Sequence, residues 1–166
     1  TNPVTDWRWD FGNGTTSTLV QSTQTFGTPG VYNVRLIATD ALGCRDTFYQ
    51  PITVYSLPTA NFAASDSFGC APADLTFFDM SSGDYLLNSW QWTFGDGGTA
   101  NVPVPQHTYA NDGLYDVSLI VSDIHGCRDT LEKPQYINLS HPQARFLALD
   151  REICPGETIS FSDRSI

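Results

Sequence analysis

WRWDFGNG, residues 7–14, returns as WQWTFGDG at residues 90–97, and the two phrases hold all four tryptophans of the 166-residue chain. In an extended backbone, successive side chains point to opposite sides. Trp7, Trp9 and Phe11 then share one face, with Arg8 and Asp10 on the other. Trp90, Trp92 and Phe94 share a face in the second copy. Gly12, Gly14, Gly95 and Gly97, set around Asn13 and Asp96, mark a turn directly after each strand. Each phrase predicts a strand that delivers aromatic rings to a core and then reverses. A row of tryptophans for stacking on a sugar is the competing reading. It is disfavoured because both members of each pair share their face with a phenylalanine.

The repetition extends well beyond the phrase. At the same spacing of 83 residues, Phe26 becomes Tyr109, Gly30 becomes Gly113, Tyr32 becomes Tyr115, Val34 becomes Val117 and Leu36 becomes Leu119. GCRDT is identical at 43–47 and 126–130. Further on the spacing becomes 84, matching Pro58 to Pro142, Phe62 to Phe146, Cys70 to Cys154, Phe77 to Phe161 and Asp79 to Asp163. Self-similarity of this extent is duplication. Within LYDVSLIVSD, residues 114–123, Tyr115, Val117, Leu119 and Val121 alternate with a more polar set, as a half-buried strand does. Gly, Asn, Asp and Pro clusters punctuate the chain, and no stretch keeps a 3.6-residue period. The expected fold is all-β: tandem immunoglobulin-like antiparallel sandwiches.

The W-x-W-x-FGDG phrase followed by HTYANDGLYDVSLIVSDIHG resembles the PKD (polycystic kidney disease) domain, whose hallmark is a WDFGDG-like turn, then HTY and G-x-Y-x-V-x-L. The first copy departs twice, with Asn13 in place of the aspartate and Gln24-Thr25-Phe26 in place of HTY. The C-x-P and G-C-x-D-T features resemble a subtype found in very long surface proteins of bacteria that use type IX secretion. Aligned on this pattern, residues 1–56 supply the later strands of a first domain, 57–140 a complete domain, and 141–166 the first two strands of a third. Ile166 aligns with Ser82 and Thr1 with Asp84, so the two partial pieces add to about one repeat. Two readings follow: a window cut from a long array, or separate chains that complete one another head to tail. The window is preferred, because donor-strand systems usually supply one strand.

Composition narrows the function. A net charge of −10 with a single lysine, Lys133, leaves nothing to neutralise a row of phosphates, which argues against nucleic acid and anionic membranes. No apolar run is long enough to span a bilayer. Four cysteines amid abundant Thr, Ser, Asn and Tyr suggest an oxidising, extracellular setting. Cys70 and Cys154 precede second strands, while Cys44 and Cys127 sit in the turn before last strands. In a seven-strand sandwich those turns lie at opposite ends, too far apart for the roughly 5.5 Å Cα separation of a disulfide. The expectation is therefore an interdomain staple, with Cys70 bonded in Cys70–Cys127 fashion as the alternative.

Chemistry is sparse. His107, His125 and His141 have no repeat equivalents, and no nucleophile has a recognisable partner. Asp79, Asp84, Asp96, Asp112 and Asp123 form the candidate set for calcium, with turn formation the favoured role. No other cofactor is expected. Pro58 and Pro142 lead straight into strands, so SLPTANF and SHPQARF read as short, stiff joints. The resemblance and the repeats imply a non-catalytic stalk segment of an extracellular fibre or adhesin, serving attachment, gliding or prey capture. Its partners would be neighbouring copies of the same repeat and other chains in a filament or bundle. The alternative is an accessory binding or spacer module of a secreted polysaccharide- or protein-degrading enzyme.

Overall fold

The computed structural model describes residues 2–148, 152, 155–156 and 158–165. Every regular element among them is a strand. The first unit holds Val4–Asp10 (β1), Thr16–Ser17 (β2), Gly30–Asp40 (β3) and Arg45–Val54 (β4), joined as one antiparallel sheet in the order β2-β1-β3-β4. The middle unit runs through Phe62–Ala64 (β5), Phe68–Cys70 (β6), Ala73–Asp79 (β7), Leu87–Thr93 (β8), Thr99–Ala100 (β9), Gln106–Tyr109 (β10), Gly113–Asp123 (β11) and Arg128–Ser140 (β12). Phe146–Ala148 (β13) and Phe161–Asp163 (β14) close the series as an antiparallel hairpin.

In the middle unit a three-stranded layer, β10-β7-β5, packs on a five-stranded layer, β6-β12-β11-β8-β9. The core lies between them. Trp92, Phe94, Val117, Leu119, Val121 and Ile137 come from the larger layer, and Phe62, Phe77 and Tyr109 from the smaller, all below 2% exposure. Burying each such side chain stabilises the fold by about 1.5–3 kcal/mol. The rings meet edge-on and tilted: Phe62 on Trp92 at 5.3 Å and Phe77 on Phe94 at 4.9 Å between centroids. Alternation in 114–123 is realised, with Val117, Leu119 and Val121 inward and Leu114 and Asp116 outward.

Two features depart from a purely antiparallel duplicate. β6 pairs with the end of β12 in parallel, Phe68 beside Asn138 and Cys70 beside Ser140. The chain reaches that edge by crossing from the smaller layer to the larger, so it arrives running the same way as β12. The second is a bulge. In the first unit Tyr32, Asn33 and Val34 face Ile52, Pro51 and Gln50 without a gap. In the middle unit Tyr115 faces Ile137 and Val117 faces Lys133, leaving Pro134, Gln135 and Tyr136 opposite Asp116 alone. Gln135 sits at φ 50°, and its N–H donates to Asp116 Oδ1 at 2.6 Å. The bulge carries Tyr136 to the opposite layer, where its hydroxyl accepts from the Ala64 N–H at 3.0 Å and its ring meets Phe62 edge-on.

The first sheet has equivalent inward residues, and among the described residues no strand lies over them. Phe11 alone is buried in residues 4–54, and Phe48 is 65% exposed.

Candidate functional site

Each tryptophan phrase builds the same local frame. Trp92 Nε1 donates to Val102 O at 2.9 Å, and Trp9 Nε1 to Leu19 O at 3.0 Å, ten residues downstream in both copies. Trp92 stacks over Phe94 at 6.3 Å and Trp9 over Phe11 at 6.2 Å. Trp7 and Trp90 are half-buried, and Trp90 Nε1 donates to Asp79 Oδ2 at 2.7 Å. After Phe94 the chain reverses at Gly95, φ +85°, where an added Cβ would lie 2.6 Å from Asp116 O. Gly12 repeats this against Asn33, while Gly14 and Gly97 turn in open space. Tyr115 donates to Asn111 O at 2.8 Å, and Tyr32 to Thr28 O at the same distance, pinning the loop before each long strand.

The first copy's two departures prove to be one. In the middle unit Asp96 Oδ1 accepts from the Gly98 N–H at 2.9 Å, and Oδ2 meets His107 Nε2 at 2.8 Å. The His107 ring lies flat on Phe94, 4.2 Å away. Burial opposes the Asp96 charge, but the Gly98 amide and the His107 ring hold its pKa below the usual value. In the first unit Asn13 Oδ1 accepts from the Thr15 N–H at 3.1 Å and from Thr15 Oγ1, which also reaches Gln24 Oε1 at 2.9 Å. Asp96, Gly98 and His107 thus exchange as a set for Asn13, Thr15 and Gln24. A Cβ on Gly98 would run into the His107 ring, so a threonine fits there only with a different partner. Beside this set Tyr109 donates to Phe94 O at 2.9 Å, and burial raises its phenol well above the ordinary value.

Sequence reasoning missed the contact between the first and middle units. Tyr55 stacks on His125 at 3.6 Å, and Tyr85 meets both rings edge-on. Ser56 Oγ donates to Asp84 Oδ2 at 2.7 Å. Thr59 and Ser82 exchange backbone hydrogen bonds, and the Ala60 N–H donates to Asp129 Oδ2 at 2.7 Å. Residues 55–60 are therefore fixed along their length to the end of the middle sandwich. The available signal was His125, a histidine without a repeat equivalent in a turn facing the linker.

A PKD domain profile matches residues 1–54 and again residues 55–138. The chain belongs to the PKD domain family. It is 31% identical over 129 residues to the pre-pro-metalloprotease PrtV of Vibrio cholerae serotype O1, covering 77% of this chain and 14% of that one. It is 28% identical over 148 residues to the microbial collagenase of Vibrio alginolyticus, covering 80% of this chain and 17% of that one. The chain thus spans about one-seventh of the protease's length. A solved structure from work on carbohydrate-binding modules of the β-sandwich superfamily superposes with TM-score 0.50 at 19% identity, covering 65% of this chain and 53% of that one. That likeness concerns the fold.

The PKD frame also disperses the candidate carboxylates. Asp79 takes the Ser81 N–H and the Trp90 ring, Asp84 takes Ser56, and Asp96 takes Gly98 and His107. Asp123, only 3% exposed, accepts the His125 and Cys127 N–H groups at 2.9 Å and so braces the turn. Asp40 does the same in the first PKD repeat. There the Cys44 amide, foremost, holds its carboxyl below the usual value. Asp112 stands apart, beside the loop held by Tyr115. Among the described residues no three His, Cys, Asp or Glu side chains converge on a metal-sized point. Among the described residues no helix is long and apolar enough to cross a membrane. Cys44, Cys70 and Cys127 are free thiols, and Cys154 lies outside the described residues. Cys127 directly precedes β12 and Cys70 flanks its last residue, Ser140. Thirteen residues of strand separate them, roughly 40 Å at 3.3 Å per residue.

Proposed function

We propose that this chain is a non-catalytic, extracellular accessory segment that spaces or anchors the working part of a secreted enzyme acting on protein or polysaccharide. The observation that carries it is the kinship, over more than three-quarters of the chain, with a metalloprotease and a collagenase of which it matches only a small part. The PKD domain is a non-catalytic domain type, and the frame described above spends its polar groups on holding turns. The test is co-sedimentation of the purified chain with insoluble collagen and with insoluble polysaccharides, alongside a protease assay. Retention on one substrate without hydrolysis is expected. Cleavage by the chain alone, or no retention on any of them, overturns the anchoring role.

A stiff stalk of a long surface fibre or adhesin, the kind of protein exported by type IX secretion, is the second reading. The observation that favours it is the packed joint at residues 55–60 between two repeats of one design. On this reading the cysteines belong to joints. Tyr55, which touches the next unit's turn, directly follows Val54, the partner of Gly30. The corresponding residue in the middle unit is Ser140, after Leu139, the partner of Gly113. Cys70 lies beside Ser140 and Cys127 lies two residues beyond His125. Stacking a further repeat in the same way brings its turn cysteine to Cys70. Non-reducing peptide mapping of a chain with one more repeat should find that bond, and a Cys70–Cys127 peptide would overturn it.

A further inference from the structure

Asn13-Gly14 is the one asparagine–glycine step in the chain. It sits in the turn after β1, where Asn13 is exposed and Gly14 holds φ +88°. A Cβ on Gly14 would meet nothing within 4 Å, and its N–H makes no hydrogen bond among the described residues. Asn13 Oδ1, by contrast, accepts from two donors, the Thr15 N–H at 3.1 Å and the Thr15 hydroxyl at 2.6 Å. The hydroxyl's contact with Gln24 Oε1 is longer, 2.9 Å, so its single hydrogen serves Asn13. A backbone amide and a hydroxyl aimed at one carbonyl oxygen are the parts of an oxyanion hole. The openness of this turn does not depend on what covers the first sheet. The equivalent Asp96 is exposed in the middle unit, where both layers are in place.

We propose that Asn13-Gly14 is a self-modifying site, at which the turn itself promotes loss of the Asn13 side-chain amide. The Gly14 nitrogen gives its proton to solvent and bonds to Asn13 Cγ. The charge that develops on Oδ1 falls on the two Thr15 donors. The Cγ–Nδ2 bond then breaks, ammonia leaves with a proton taken from water, and a succinimide ring remains. Water adds at one or other ring carbonyl and opens it to aspartate or isoaspartate. One water is consumed, one ammonia is released, and nothing is oxidised. Either product adds a negative charge. Aspartate gives the first unit the residue that Asp96 supplies in the middle one, whereas isoaspartate lengthens the backbone of the turn by a methylene group. The middle unit lacks the reaction, since a carboxylate resists attack and Gly98 offers Asp96 no hydroxyl.

The test is incubation of the whole chain in mildly alkaline buffer, with peptide mapping by mass spectrometry at intervals. The peptide that carries Asn13 should gain one mass unit before any other asparagine peptide does. It should gain it faster in the folded chain than in the chain unfolded in guanidinium chloride. Thr15→Val removes the hydroxyl and keeps the backbone donor. It should slow the gain about tenfold, short of the roughly hundredfold lost in a dry active site, because the turn is open to water. Thr15→Ser keeps a hydroxyl and should retain the parent rate. A folded chain that reacts no faster than the unfolded one overturns the proposal. So does an unchanged rate in Thr15→Val, a Thr15→Ser chain as slow as Thr15→Val, or earlier reaction at another asparagine. Tryptophan fluorescence verifies that both variants remain folded.

Discussion

Asp96, Gly98 and His107 act as one unit, since Gly98 is bare only to admit the histidine that Asp96 holds. Gly98→Thr alone should lower stability by about 2 kcal/mol, because the new Cβ displaces the ring from Phe94. The triple change Asp96→Asn, Gly98→Thr, His107→Gln copies the first unit's set and should recover most of that loss. Urea titration followed by tryptophan fluorescence reads both. The same carboxyl gives a pH signature. Its folded pKa lies below the unfolded value of about 3.9. Its contribution is therefore complete above the unfolded value and is lost as pH falls through the lower folded one. Asp96→Asn should flatten the acid limb of a stability-versus-pH curve. Gly95→Ala puts a methyl group 2.6 Å from Asp116 O at positive φ, whereas Gly97→Ala meets open space. The first should cost at least about 2 kcal/mol and the second roughly 1, by the same titration.

Among the elements, the strands written by alternation were legible: Trp9 with Phe11, and Val117 with Leu119 and Val121, face inward as their spacing requires. β6 was not, because three residues with one glycine carry no period, and only the neighbouring end of β12 makes them a strand. The β12 bulge adds two residues, since Leu139 faces Gly113 where Val54 faces Gly30, and its one trace in the sequence is that the repeat spacing has moved from 83 to 84 by Pro142. Nothing local said that the extra length would send Tyr136 across to Ala64. The joint was harder to read for another reason: Tyr55, Tyr85 and His125 are far apart in sequence and occur once, and the missing repeat equivalent of His125 was their one mark. Tyr136→Phe keeps the ring on Phe62 and removes the acceptor of the Ala64 N–H. It should cost about 0.5–1.5 kcal/mol in thermal or urea unfolding, with β5 amides exchanging faster.

For the molecule as a whole, the joint fixes how one unit follows another. Tyr55→Ala removes the stack on His125 and the edge contact with Tyr85, but no contact in the core of the middle sandwich. Small-angle scattering should then show a broader spread of interunit orientations while the middle unit's unfolding midpoint stays put. A change in that midpoint without a change in shape would show that the ring serves the sandwich, not the joint. The parallel edge has a mechanical consequence. A pull applied at Pro58 and Ser140 tugs β6 and β12 in opposite senses along their shared axis. The bonds from Asn138 N–H to Ser67 O and from Ala71 N–H to Ser140 O then bear the force together. An antiparallel strand at that edge would peel off one rung at a time. Resistance to stretching, a kinetic quantity, is thus placed in three residue pairs at one rim of the sandwich, while resistance to denaturant resides in the aromatic core.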